Sequence, residues 1–406
     1  MDRISSLRRK VAARSIVALS LWFSIAGSMS AESPPRAASS ELGAAAEYVI
    51  VELGSLGTGR SEARSLNNAG EVVGYSLTGE VSPEGQSVRR AFLWLPSPAY
   101  HLPAGLHDLG TLRTHPLGSS DAFDISDTGQ IVGRSEIDEL SILEEPAWVG
   151  FSWRAGSLDA LPAPAAEPFF HTATSVNALG EMAFTDSLGF GCLALLWLPA
   201  ANYGLAAGFH SLPPLAGLLE GTADAINGKG QIVGWRTGAC DALGAGSRAF
   251  LWLPEPDYGL AAGMQDLTPN VGEGADAFAL AINDAGQVVG EIDEFPQPRS
   301  GFLWDQGVMT DLAFRASGIN EQGWVVGDSA DGPVLWRNGQ LDVLSDLVAP
   351  GSGWQLLRAV DINDRGQIAA IGSQSGQTRA LLLDTVLIFA SGFESGDFAS
   401  WDAVFP

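Results

Sequence analysis

AINDAGQVVG (281–290) decides the fold, because the chain repeats that text, with variations, seven times. An apolar stretch enters a polar turn opened by Asn283 and closed by Gly286, and a second apolar stretch ends at Gly290. The same element stands at 65–74 (SLNNAGEVVG), 124–133 (DISDTGQIVG), 175–184 (SVNALGEMAF), 225–234 (AINGKGQIVG), 318–327 (GINEQGWVVG) and 361–370 (DINDRGQIAA). Asn at the first position of a type I turn bonds back to the chain, and Gly at the fourth takes the left-handed conformation that closes a bulged hairpin. Ser126 does the same work in the second copy. Successive turn glycines are 59, 51, 50, 56, 37 and 43 residues apart, a period of about 49 that marks a repeat architecture. A calcium-loop reading of INDAG or INDRG is disfavoured. The second turn position is Asn68, Asp127, Ala178, Gly228, Asp284, Glu321 and Asp364, so a carboxylate is optional where glycine is invariant.

Each copy is followed by an apolar stretch ending in tryptophan: RAFLW (90–94), GFSW (150–153), ALLW (194–197), RAFLW (248–252), GFLW (301–304) and PVLW (333–336), with RALLL (379–383) closing the seventh. A third element, ending in Asp-Leu or similar, lies between copies, as in LHDLGTL (106–112) and MQDLTPN (264–270), and the first copy has its own version in EYVIVELGSL (47–56). Each repeat therefore reads as four short strands, opened by the Asp-Leu strand. Units with edges that they cannot cover alone are accommodated by arrangement about an axis, so the expectation is an all-β chain forming a β-propeller of seven four-stranded blades. A β-solenoid is the alternative. The related texts LPSPAYHLPAG (95–105), LPAANYGLAAG (198–208) and LPEPDYGLAAG (253–263) read as protruding blade-to-blade connections. The tryptophans read as packing residues between blades rather than sugar-stacking platforms.

Around the repeats, Arg3, Arg8, Arg9, Lys10 and Arg14 precede an apolar stretch from Ser15 to Gly27 and small residues at Ser28, Ser30 and Ala31, the layout of a secretory signal over residues 1–31. Residues 32–46 read as a flexible lead-in, 47–388 as the repeat domain and 389–406 as a C-terminal tail segment. The expected location is outside a bacterial cell, free or at its surface, with no integral membrane segment once the signal is removed. An oxidising compartment calls for a disulfide between the two cysteines, Cys192 and Cys240, on adjacent repeats. The net charge of -25 argues against a nucleic-acid partner, whose phosphates would be repelled.

INDAGQVVG, followed by RAFLW and then an Asp-Leu-Gly segment, resembles the bacterial extracellular HAF repeat family over about residues 47–384. Arg90 and Arg248 stand where that family's naming histidine would be, while Ala91-Phe92-Leu93-Trp94 and Ala249-Phe250-Leu251-Trp252 fit. The resemblance implies export and β-repeats, and it brings no activity with it. FASGFESGDFASWDAVFP (389–406) looks like a short terminal segment of other exported bacterial proteins.

The chain offers little for catalysis. Its five histidines never form a metal pair of HExxH type, no GxSxG elbow occurs, and the glycines of GAGSRA (244–249) and GEGADA (272–277) lead into strands where a dinucleotide site needs a helix. No catalytic residue, metal or cofactor is expected. EIDE (136–139 and 291–294) reads as solvated loop charge. Variation is more informative: the residue after the glycine ending the second apolar stretch is Tyr75, Arg134, Trp235, Glu291 or Asp328, a mixture suited to a recognition ring. The expected function is a monomeric, non-enzymatic binding or surface scaffold for a glycan or an extracellular protein. The rival is a carbohydrate-active hydrolase or lyase with carboxylates at the propeller centre.

Overall fold

The computed structural model describes residues 47–386, apart from residues 84, 142–145, 164–169, 188–190, 239–245, 271–274 and 295–298. Seven four-stranded antiparallel sheets stand in sequence around an axis, and the only regular helix among the described residues is the single turn Leu344–Leu347. This is the seven-bladed propeller.

The phase of the repeat differs from the sequence expectation by one strand. Blade one runs from the innermost strand Ser61–Leu66 through Val72–Val81 and Ser87–Leu95 to the outer strand Gly105–Asp108. The Asp-Leu strand therefore closes its own blade instead of opening the next. Its first copy, Tyr48–Glu52, has no earlier blade to close and pairs with Gln377–Thr385 as the outer strand of blade seven. N-terminal and C-terminal strands thus share one sheet, and Tyr48, 1% exposed, anchors the joint. For the same reason the text at 95–105 is not a blade-to-blade connection but an excursion within blade one, between its third and outer strands. It does not protrude either. Tyr100, Tyr203 and Tyr258 fold back, donating to Glu71, Glu181 and Gln231 at 2.9 Å in their own blades. Each also lies against the turn glycine of the next blade, where a Cβ on Gly129, Gly230 or Gly286 would strike the phenol.

Seven apolar clusters hold the blades together, one at each seam, and the cluster joining Ala369, Ala380 and Leu382 to Ala63, Leu66 and Phe92 closes the ring. Every innermost strand contributes one alanine four residues before the turn: Ala63, Ala122, Ala173, Ala223, Ala279, Ala316 and Ala359, all at most 1% exposed. A larger side chain there would force the seam apart. Trp153, Trp252 and Trp304 are buried in these clusters, as expected. Gly74, Gly133, Gly234 and Gly290 lie opposite Phe92, Phe151, Phe250 and Phe302, and a Cβ at any of them would run into the innermost strand's backbone. The glycine and the aromatic strand are thus one packing device.

The turns form the ring's common level. All seven turn glycines have φ between 72° and 84°. Asn67 Oδ1 accepts from Ala69 N and Glu71 N, and Asn67 Nδ2 donates across the seam to the backbone oxygen of Ser126 at 3.2 Å. Asn177, Asn227, Asn283, Asn320 and Asn363 each donate likewise to the first turn residue of the following blade, the last reaching Asn67 O at 3.0 Å. Only Ser126, too short to span, breaks the circuit. Where the second turn residue carries an acceptor, it receives the preceding blade's N–H, as Asp127 does from Asn68, Asp284 from Gly228, Glu321 from Asp284 and Asp364 from Glu321. That is the work of the optional carboxylate.

Cys192, at the start of the third strand of blade three, is disulfide-bonded; its expected partner, Cys240, lies outside the described residues. The expected signal, lead-in and tail also lie outside them. No described helix is long and apolar enough to cross a membrane.

Replacing Ser126 with Asn supplies the seventh link and is expected to raise unfolding free energy in denaturant by about 0.5–1.5 kcal/mol, the net value of one such bond. Asn227→Ala is expected to cost about 1–3 kcal/mol by leaving Asn283 O without its donor. A neutral or destabilising Ser126→Asn would show that the circuit does not add up as described.

Candidate functional site

The innermost strands surround an axial channel of about 420 Å³. In all seven blades the pairing of the innermost strand with its neighbour slips three residues before the turn, between Ala63 and Ser65 in blade one and at the equivalent place in each of the others. A bulge leaves one residue out of the ladder and re-aims its side chain. The residues so released are Arg64, Phe123, Thr174, Asp224, Leu280, Ser317 and Val360, each half-buried and lining the channel. No two adjacent ones share a chemistry. This set was missed in the sequence, although its signal was present: a variable position between an invariant alanine and the turn.

One residue nearer the turn the wall is lopsided. Blades seven, one, two and three carry Asp361, Ser65, Asp124 and Ser175, whereas blades four, five and six carry Ala225, Ala281 and Gly318. Ser65 Oγ lies 2.8 Å from Asp124 Oδ1 and 3.2 Å from Asp361 Oδ2. Ser175 donates to Asp124 at 2.7 Å, and backbone N–H groups of Val176 and Leu66 reach Asp124 and Asp361. A serine hydroxyl has one proton, so Ser65 donates to one of the two carboxylates at a time. Burial, with the charge of Asp124 adding to it, pushes Asp361 up to about 6. Burial pushes Asp224 up to about 7, although Thr222 Oγ1 sits 3.0 Å from both of its oxygens. His171, by contrast, does structural work: its Nδ1 accepts from Gly150 N and its ring stacks on Phe184, and burial lowers it to about 4.

The five residues expected to form a recognition ring all lie on second strands, at one level, and each faces a seam. Trp235 meets Phe278 edge-on at 5.5 Å, Glu291 accepts from Arg315 Nε at 2.6 Å, and Asp328 accepts from Arg358 Nε at 3.4 Å. Tyr75 and Arg134 are brought into one cluster at the seam of blades one and two, with Arg64, Arg89, Asp121, Phe123 and Trp148. The two EIDE runs differ from the loop expectation, because Glu136 and Glu291 lie within strands, buried and paired with Arg113 and Arg315.

No protein-family model and no curated protein matches the chain. Among solved structures it is similar to the β-propeller domain of the Trilobed protease from Pyrococcus furiosus, at 9% identity and a TM-score of 0.48, covering 82% of this chain and 99% of that one. It is also similar to virginiamycin B lyase from Staphylococcus aureus, at 11% identity and a TM-score of 0.40 over 83% and 99% of the two chains. A sialidase from Trypanosoma rangeli in complex with sialic acid aligns at 9% identity and a TM-score of 0.39, over 83% of this chain and 57% of that one. These are likenesses of fold, which the order of the seven sheets establishes directly.

A carboxyl whose folded-state pKa lies above its unfolded value binds more protons when folded, so its contribution is present at low pH and is lost as pH rises through the folded value. Between about pH 4 and 7, Asp224 should cost stability progressively. Asp224→Asn keeps an acceptor for Thr222 without that cost. The variant is expected to melt higher than the parent at pH 8, with the difference shrinking toward pH 4, and thermal unfolding across that range checks it. A difference independent of pH would show that Asp224 is not buried as a carboxylate.

Proposed function

We propose that the protein is an exported, non-catalytic binding propeller of the HAF repeat type that receives the end of a glycan in its axial channel. The observation that carries the reading is the repeated bulge. Seven bulges at one height aim seven different side chains at a space large enough for a sugar unit, although regular pairing would otherwise hide them. Phe123 offers a ring face to a sugar, while Thr174, Ser317, Asp224 and Arg64 offer donors and acceptors. The paired residues Tyr75, Arg134, Trp235, Glu291 and Asp328 support that wall from one strand further out. Export is supported by the basic and apolar residues of 1–31 together with the bonded Cys192.

A second reading has one observation in its favour. Asp124 and Asp361 share Ser65, so their nearest oxygens lie within about 6 Å of each other, which is compatible with the roughly 5 to 5.5 Å of a retaining glycosidase pair. Asp361, raised to about 6, would be the acid of such a pair. Binding is favoured over hydrolysis because both carboxylates are engaged by serine hydroxyls and backbone N–H groups of the neighbouring blades.

The test is a panel of soluble oligosaccharides titrated against the full exported chain, with reducing ends assayed in the same samples. Saturable binding without new reducing ends is expected, weakened about tenfold by Phe123→Ala, which corresponds to about 1.4 kcal/mol of lost stacking. New reducing ends that vanish in Asp361→Asn would establish the hydrolase instead.

A further inference from the structure

Seven carboxyl groups and a single guanidinium, that of Arg64, line the axial channel. Four of the carboxyls, Asp127, Asp284, Glu321 and Asp364, belong to the turns, and each accepts a backbone N–H from the preceding blade. Asp124 and Asp361 accept backbone N–H groups too, from Val176 and Leu66, in addition to serine hydroxyls.

Asp224 is different. It is the bulge residue of blade four, released from the ladder between Ala223 and Ala225 and lining the channel. Among the described residues it accepts no backbone N–H, and no charged group acts on it. Its contact is Thr222 Oγ1, which lies 3.0 Å from both carboxylate oxygens. That hydroxyl has one proton, so one oxygen of Asp224 is always left without a donor. A carboxylate held away from water with so little support is costly, and burial raises Asp224 to about 7 for that reason. The fold does not require it, because Leu280 and Val360 occupy the same bulge position in blades five and seven. A costly carboxylate that the packing does not use, aimed into a cavity, marks a ligand contact.

We propose that Asp224 receives an ammonium group, so that the glycan end bound in the channel belongs to an amino sugar with a free amine. The inference rests on the channel reading above. An ammonium brings three N–H donors and meets the oxygen that Thr222 leaves with a charge-assisted bond, roughly twice as strong as that of a neutral sugar hydroxyl. The pair needs one proton, which the nitrogen holds after binding whether the amine or Asp224 carried it before. The excess of carboxyls over guanidinium in the lining favours a cation on its way in as well as at its seat. Thr174 and Ser317 add hydroxyls and Phe123 a ring face at the same bulge level, which suits a sugar better than a basic peptide.

The experiment titrates the full exported chain with a glucosamine oligomer, its fully N-acetylated counterpart, a cello-oligosaccharide and tri-lysine, in about 50 mM and about 500 mM salt. The expected result is preference for the glucosamine oligomer over both neutral sugars by about tenfold or more. That preference should weaken as salt rises, because the carboxylates that draw the cation in are screened. Asp224→Asn, which removes the charge and keeps the shape, should bring the glucosamine oligomer down to the neutral level and leave cello-oligosaccharide binding within about twofold. The comparison of sugars on the unaltered protein decides the matter even if the variant does not fold. Equal or tighter binding of a neutral sugar would overturn the ammonium site and leave the channel reading standing. A preference that survives Asp224→Asn would overturn Asp224 as its seat. Tri-lysine binding as tightly as the glucosamine oligomer would overturn the sugar assignment, and no binding to any of the four would overturn both readings.

Discussion

A ring of seven sheets closes only if every innermost strand ends at the same height, and the buried asparagine at the turn sets that height. Its oxygen is committed to its own turn, and its nitrogen reaches the backbone oxygen of the next turn at 2.9 to 3.2 Å in six blades. Each bond contributes about 0.5–1.5 kcal/mol net, whereas a single fully buried leucine or phenylalanine in a seam contributes about 1.5–3. Cohesion therefore comes from the seams. The asparagine circuit supplies register, because a blade that slid along the axis would leave a buried carbonyl unmatched.

From that fixed level the rest of the innermost strand follows. The residue before the asparagine faces the seam, and so does the alanine four before it. An alternating strand cannot put both on one side at that spacing, since residues three apart point to opposite faces. The bulge supplies the extra residue that reconciles them. The channel wall is thus a by-product of seam packing, and its side chains are free to differ because neither the seam nor the circuit uses them.

How much of this the sequence displayed depends on what repeats. The asparagine turn, its glycine and the tryptophan strand recur because every blade needs them, so blade number and strand number were legible in the chain. The phase was not. Seven Asp-Leu strands fit equally well before or after each copy, and only the pairing of Tyr48–Glu52 with Gln377–Thr385 tells which. The reading of Tyr75, Arg134, Trp235, Glu291 and Asp328 found true variation one strand too far from the axis, where seams are matched pair by pair. Phe123 and Arg64 escaped notice because a bulge leaves no mark in the hydrophobic pattern. The position looks like ordinary alternation gone irregular.

The strand also sorts charge along the axis. At the turn end, Asp127, Asp284, Glu321 and Asp364 accept N–H groups from the preceding blade and ring the channel with carboxylates. Six residues earlier on the same strands stand Arg315 and Arg358, each matched across a seam, and Asp121 within its cluster of arginines. Six residues, one of them taken up by the bulge, span about 16 Å of strand, and charges that far apart are separated by more than the roughly 8 to 10 Å screening length of physiological salt. The rim's carboxylates are therefore set apart from the ion pairs at the other end of the same strands. An anion entering past the turns would meet carboxylates first.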